Sequence, residues 1–414
     1  MATEAAFHRR NAPSRRVLRS SVALVSALVL LLTGFVACGA RGGDIAGSPG
    51  EVVSVTPVLG ATTERTAAYL NQWAIQTPVR NGIDAYRVVY RTSAPDGADT
   101  TASGLVVLPR TEARRLPVVS YAHGTIVRKD EAPSADAETD RARTALFAAA
   151  GYAAVAPDYL GLGEGPGSHP YAHAPTEASA SVDLLRAART VAEREGRELD
   201  DTLLVTGFSQ GGQAAMALAE RVAAAPGLGY TLAGVAAVSG PYAIREVQTP
   251  AALDGRVTPR AAVLYIAYWL TAMNRIYHLY DEPGEAFQQP YAQHVEQLFD
   301  GRHDVLSVST GLPATPGELL TPRFQALALD PTGAALRAMT DSDRACDWTP
   351  RAPVRLYVSP ADRAVPSANA EQCLAALGGD RASVIDLGPV DHSATVRLAM
   401  PQILAWFGEL APAV

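Results

Sequence analysis

Gly207-Phe208-Ser209-Gln210-Gly211 is the stretch of this chain best suited to do chemistry. A short apolar run, Asp201 to Thr206, leads into it, and a run of small, helix-favouring residues, Gly212 to Val222, follows. Strand, Gly-x-Ser-x-Gly, helix is the context of a nucleophile elbow. Such a turn is tight and strained, and glycine two residues to either side lets the strand and helix pass closely. The serine hydroxyl then stands at the start of a helix. The amide of the next residue, Gln210, points to where negative charge would form on an attacked carbonyl. An ordinary glycine-rich strand-to-helix turn is the competing reading of the same five residues.

A serine hydroxyl needs a base to take its proton. His392, in Val390-Asp391-His392-Ser393, lies between the last predicted strand and the last predicted helix, which puts it at the sheet edge that carries Ser209. The base in turn needs a carboxylate to hold its tautomer and stabilise the imidazolium. Asp362, in a loop directly after another strand, is the candidate, and the chain order becomes Ser, Asp, His. Asp391 is the rival, but a residue adjacent to the histidine reaches its far side with difficulty. A second oxyanion donor is expected from the backbone of Thr125, in Tyr121-Ala122-His123-Gly124-Thr125, with Gly124 permitting the approach and His123 bracing the loop. Asp158, in Asp158-Tyr159-Leu160-Gly161-Leu162-Gly163, is expected to hold backbone groups near the site, because no phosphate-binding glycine pattern opens a helix there.

Other histidines compete. His169 and His173 have the spacing of a metal pair on a helix, but Pro166, Pro170 and Pro175 disfavour a helix, so a solvated loop is expected. His278, His294 and His303 are read as surface or packing residues.

The elements that must position these groups alternate. Asp84 to Arg91 and Thr101 to Leu108 read as a hairpin turned by Pro95-Asp96-Gly97. Apolar strands follow at 116–122, 152–156, 201–208, 232–238, 354–358 and 383–387, with helices at 62–75, 140–150, 177–195, 367–377 and 393–409. Continuous apolar strands alternating with helices predict an α/β fold with a mostly parallel sheet covered on both faces. The alternation stops between residues 240 and 350, a span too long for a connecting loop, so a helical cap insertion is expected there. The core is then 61–239 and 351–414. In the cap, Val263 to Tyr280 is apolar nearly all round: as core packing, or as an acyl-binding wall.

The N-terminus reads differently. Arg9, Arg10, Arg15, Arg16 and Arg19 precede a nearly continuous apolar run from Ser21 to Ala37, the pattern of an export signal or uncleaved anchor over 1–37. Ser14-Arg15-Arg16 also matches a twin-arginine signal in part. Phe35-Val36-Ala37-Cys38 partly matches a lipoprotein processing site, with Cys38 as the lipidated residue and membrane attachment through the N-terminus as the consequence; an ordinary cleavage site is the alternative. Residues 38–60, rich in Gly, Ser and Pro, are expected as a tether. In an exported protein the remaining cysteines, Cys346 and Cys373, form an even pair and predict one disulfide.

Composition narrows the function classes. The chain has 414 residues, 48% apolar and 19% charged, enough for a large core. Its net charge is −7, and the leader carries five arginines against Glu4. The part after the leader is therefore more acidic still and has no basic cluster, which argues against a nucleic-acid partner.

Taken together, Ala122-His123-Gly124-Thr125, Asp158-Tyr159-x-Gly-x-Gly, Gly207 to Gly212, the Asp362 loop and Asp391-His392 resemble the α/β-hydrolase superfamily, and within it the secretory lipase and esterase group. The resemblance spans roughly residues 84–410 outside the cap. It implies cleavage of carboxylic esters, of a small molecule or a lipid, through an acyl-enzyme and without metal or cofactor. A serine peptidase or an acyltransferase of the same fold, or a non-catalytic binding protein on this scaffold, are the alternatives.

Overall fold

The computed structural model describes residues 47–135 and 138–414. The expected export signal, Cys38 and the first part of the expected tether lie outside the described residues.

The hairpin, β2 (Gly82–Ser93) and β3 (Asp99–Arg110), forms where alternation and the Pro95–Gly97 turn predict it, and its strands pair antiparallel along their whole length. One strand was not expected. β1 (Val52–Ala61) pairs antiparallel with β2, so the tether reading of 38–60 fails over residues 52–60. The free edge of β2 supplies hydrogen-bond partners to a valine-rich segment whose Pro57 and Gly60 interrupt the strand pattern. Pro57 is tolerated because β1 is an edge strand.

The remaining strands are β4 (Arg115–Ala122), β5 (Ala153–Pro157), β6 (Glu198–Phe208), β7 (Thr231–Val238), β8 (Val354–Val358) and β9 (Ala382–Asp386). The sheet order is β1-β2-β3-β5-β4-β6-β7-β8-β9, antiparallel from β1 to β5 and parallel from β5 to β9. Successive side chains of the parallel strands enter opposite core layers. Leu203 and Val205 of β6 pack with Val118, Val235 and Ala237 on one face, while Leu204 packs with Val119, Ala236 and Val238 on the other. Burial on both faces is why these strands read as unbroken apolar runs.

The helices that cover the sheet are α1 (Thr63–Gln72), α2 (Glu138–Ala150), α3 (Ala174–Arg194) and α4 (Gln210–Ala224). Between β7 and β8 comes the expected helical insertion. After one π-helical turn, Ile244–Gln248, it contains α5 (Thr249–Leu253), α6 (Pro259–Tyr277), α7 (Pro283–Ala286), α8 (Val305–Thr310), α9 (Pro316–Leu319), α10 (Pro322–Leu329) and α11 (Gly333–Asp343). Proline in the first turn starts α5, α6, α7, α9 and α10, where its missing N–H costs nothing. The cap has its own apolar cluster, with Val263, Tyr268, Met273, Phe287, Phe299 and Leu320 among its members. The chain closes with α12 (Ala368–Leu377) and α13 (His392–Leu410).

Two devices close the base of the cap. The Asp343 carboxylate accepts from the amides of Ile244 (2.5 Å) and Arg245 (3.2 Å), joining the two ends of the insertion. Cys346 and Cys373 form the expected disulfide, with Cα atoms 5.4 Å apart. Cys346 itself packs in the main core, so the last turn of the expected cap span belongs to the main body rather than to the cap. No helix among the described residues is long and apolar enough to cross a membrane.

Candidate active site

Ser209 follows β6 and precedes α4, at φ 58° and ψ −123°, a strained conformation for a residue with a side chain. The flanking glycines are needed. A Cβ on Gly207 would sit 2.0 Å from the carbonyl oxygen of Gly211, and one on Gly211 would sit 2.0 Å from that of Ala122. Both contacts are with backbone, so no side-chain adjustment relieves them. The amide of Ser209 donates to Val238 at 2.9 Å, which anchors the turn to β7.

The structure brings three predicted residues together. His392 Nε2 lies 2.9 Å from Ser209 Oγ, and His392 Nδ1 lies 2.7 Å from Asp362 Oδ2. Asp362 is 5% exposed, and its other oxygen accepts from the amides of Ala364 (2.8 Å) and Val365 (3.0 Å). Burial alone would raise its pKa; the hydrogen bond and charge of His392, with these two amides, outweigh burial and hold it below the ordinary carboxylate range. A base with a hydroxyl on one ring nitrogen and an ionised carboxylate on the other is arranged to take a proton from serine. Asp391, the rival, does something else: it caps α13, accepting from the Ala394 amide at 2.8 Å. Its carboxylate faces the helix backbone, as expected of a neighbour of the base.

The two expected oxyanion donors flank the serine. Gln210 supplies the first amide of α4. The loop carrying Thr125 is close, because a Cβ on Gly124 would lie 3.5 Å from Ser209 Cβ. Among the described residues no acceptor takes the backbone N–H of Gln210 or Thr125. The Thr125 side chain is held by the hydroxyl of Tyr171 at 3.0 Å. His123 braces the loop as expected: it is fully buried, its Nδ1 lies 2.7 Å from the Gly124 carbonyl, and its ring packs on Tyr159 with centroids 4.3 Å apart.

Asp158 is buried and accepts from the Ser103 hydroxyl (2.6 Å), the Ser134 amide (2.9 Å) and the Ser134 hydroxyl. It therefore holds side chains as well as backbone, and burial raises its pKa despite these bonds.

His169 and His173 correct the sequence reading. Neither is solvated: they are 4% and 5% exposed. Their ring nitrogens are taken by separate partners, Leu160 and Gln210 for His169, Thr176 and Tyr277 for His173. The cap folds over the proline-rich loop, and that long-range packing buries both. Among the described residues no three His, Cys, Asp or Glu side chains cluster to hold a metal.

Beside Ser209 opens an apolar pocket. Ser209 and Gln210 form its base; Tyr265, Ile266, Trp269 and Leu270 of α6 form one wall, and Phe324 and Leu327 of α10 another. The stretch Val263 to Tyr280 serves the cap core and the pocket together: Val263, Ala267 and Met273 are in the core, and Trp269, also a core member, lines the pocket with Tyr265, Ile266 and Leu270, which pack against that core. Sequence reasoning missed the α10 wall, the Tyr171 contact to Thr125, and Glu177, which touches Gln210. Glu177 reads as an ordinary acidic residue in the first turn of a helix, and no local signal sets it apart.

No protein-family model and no curated protein sequence matches this chain. Solved structures do. A Legionella pneumophila protein provisionally named a hydrolase superposes with a TM-score of 0.80 at 28% identity, covering 87% of this chain and 98% of its own. The rice cell wall degrading esterase LipA of Xanthomonas oryzae gives 0.79 at 26% identity, covering 88% and 99%. Candida antarctica lipase A gives 0.64 at 16% identity over 89% and 84%, a likeness of fold alone.

Proposed function

We propose that this chain, an α/β hydrolase by fold, cleaves carboxylic esters through an acyl-enzyme. The observation that carries the reading is the unbroken chain Asp362–His392–Ser209 at the base of an apolar pocket. Similarity to a hydrolase and to an esterase, each over nearly their full length, supports it.

In this mechanism Ser209 Oγ attacks the ester carbonyl while His392 Nε2 takes its proton. Asp362 stabilises the imidazolium. The amides of Gln210 and Thr125 receive the oxyanion, a contribution of about 3–4 kcal/mol per donor in comparable sites. His392 then protonates the departing alcohol, and a water molecule repeats the cycle on the acyl-enzyme. The acyl group occupies the pocket between α6 and α10, whose lining is largely apolar. A peptide backbone would bring amides that such a lining leaves unpaired, which favours the ester over the peptidase reading.

The protein is exported in this reading. The arginine head and apolar run of residues 1–37 support it, as does the disulfide, since disulfides persist in oxidising compartments. Attachment through a lipidated Cys38 is the membrane-bound form of the same proposal.

The test is a panel of p-nitrophenyl esters of increasing chain length run beside a peptide p-nitroanilide, with products analysed in the presence of added alcohol. Turnover of esters with release of free acid is expected. Cleavage confined to the peptide, or transfer of the acyl group to the alcohol at the expense of hydrolysis, would replace the reading.

A further inference from the structure

Beneath the nucleophile lies a buried polar cluster that the mechanism above does not use. The side-chain amide of Gln210 is 1% exposed, and its Nε2 lies 2.8 Å from His169 Nε2 and 2.8 Å from Glu177 Oε1. His169 Nδ1 lies 2.9 Å from the carbonyl of Leu160. A carbonyl only accepts, so the imidazole proton sits on Nδ1 and the Nε2 lone pair faces Gln210. One amide proton of Gln210 then goes to His169 and the other to Glu177. Both are spoken for, and the orientation of the amide follows.

Three elements meet in this cluster: the loop before α3, the first turn of α3, and the first residue of α4. The cap reaches it as well. The His169 ring meets the rings of Tyr171 and Tyr268 edge-on, at 6.2 and 5.9 Å, and those two tyrosines stack at 4.3 Å. The Gln210 side chain is thus gripped from two sides while its backbone N–H stands beside Ser209.

We propose that Glu177 and His169 are positioning residues that clamp Gln210 and aim its amide at the oxyanion. This rests on the ester-hydrolase reading. An uncharged Glu177 suits that role, because a carboxylate one glutamine side chain away from the developing oxyanion would oppose it. Glu177 is 1% exposed, its Oε2 has no hydrogen-bond partner, and no ion pair among the described residues includes it. Burial raises its pKa to about 8, against the weaker effect of the Gln210 bond. The titratable groups facing it are His169, Tyr159 and Tyr171. Burial lowers His169 to about 3 and drives both tyrosines well above their ordinary value. Of these groups, Glu177 alone changes charge between pH 7 and 9.5.

The experiment uses the full chain as wild type, Glu177→Gln and Glu177→Leu. Two readouts run from pH 6 to 9.5: turnover of a p-nitrophenyl ester, and the rate at which diethyl p-nitrophenyl phosphate inactivates Ser209. The wild type should lose activity above about pH 8. Glu177→Gln, which keeps an acceptor and cannot ionise, should hold kcat at pH 7 within about threefold and lose that alkaline fall. Glu177→Leu should lower kcat by about 10- to 100-fold with KM within about twofold, and slow inactivation in parallel. An alkaline fall in Glu177→Gln that coincides with the wild type overturns the proposal, and this comparison decides the matter even if Glu177→Leu fails to fold. Wild-type kcat in a folded Glu177→Leu overturns it too. Failure of the ester reading looks different: the wild type then turns over no ester, while the inactivation rates still report on the clamp.

Discussion

The two bodies of this molecule are built by different rules. In the sheet and its covering helices, successive residues of β6 and β7 alternate between two core layers, and backbone approaches backbone at Gly207 and Gly211 with no room for a methyl group. The cap instead consists of short helices, five of them begun by proline, around a separate apolar cluster. It meets Ser209 across a pocket rather than through packed backbone. On the proposed mechanism, the contrast separates chemistry from selectivity. Groups that must hold a geometry sit on the rigid body, and groups that only need to be apolar and of the right size sit on the cap.

Substitutions can break that division. Ser209→Ala should abolish turnover, by about 10⁴-fold or more, with the fold intact by circular dichroism. An organophosphate should label Ser209 and no other serine; labelling elsewhere in a still-active alanine variant would sink the assignment. Asp362→Asn should cost about 10⁴-fold, because the amide imposes the wrong histidine tautomer. Asp391→Asn, which keeps a helix-capping oxygen, should change turnover by less than about twofold. Reversal of those two results would move the acid to Asp391.

A cap substitution should act on selectivity. Ile266→Phe places a ring in the pocket wall, and should lower kcat/KM for a dodecanoate ester by about 10- to 100-fold while affecting an acetate ester far less. Equal losses on both esters would show that the cap serves the chemistry and not the chain. The smallest effect on turnover is expected at the junction. Cys373→Ser removes the bond to Cys346 and opens a closed loop with a sequence separation of 27. By chain entropy that costs roughly 3 kcal/mol, which should lower Tm by several degrees and leave turnover at 25 °C within about twofold. A large loss of kcat in this variant would mean that the bond positions the Asp362 loop as well as stabilising it.

Acidity adds a check on stability. The pKa of Glu177 is raised on folding, from 4.5 to about 8, so its neutral form is the one the fold favours. Its contribution is present in full below pH 4.5, declines as the pH rises, and is lost once the pH passes about 8. Glu177→Gln should therefore gain in Tm over the wild type progressively across that window, and hold the gain at pH 9.

Much of this architecture is legible in the sequence. Strand spans at 116–122, 201–208 and 354–358 needed only the apolar runs, and Ser209, Asp362 and His392 needed only their types and their places after strands. The disulfide followed from there being two cysteines after Cys38. These are short-range or combinatorial inferences: periodicity, the steric demand of the elbow, and chain order act through neighbours along the backbone. What only tertiary structure decided is of another kind. β1 exists because β2 offers it an edge. His169 and His173 are buried because the cap closes over their loop. The pocket exists because α6 and α10, some sixty residues apart, face each other above Ser209. The Glu177 carboxyl has a raised pKa because distant segments bury it. Pairing partners and local dielectric depend on which distant segments arrive, and no window of sequence contains that.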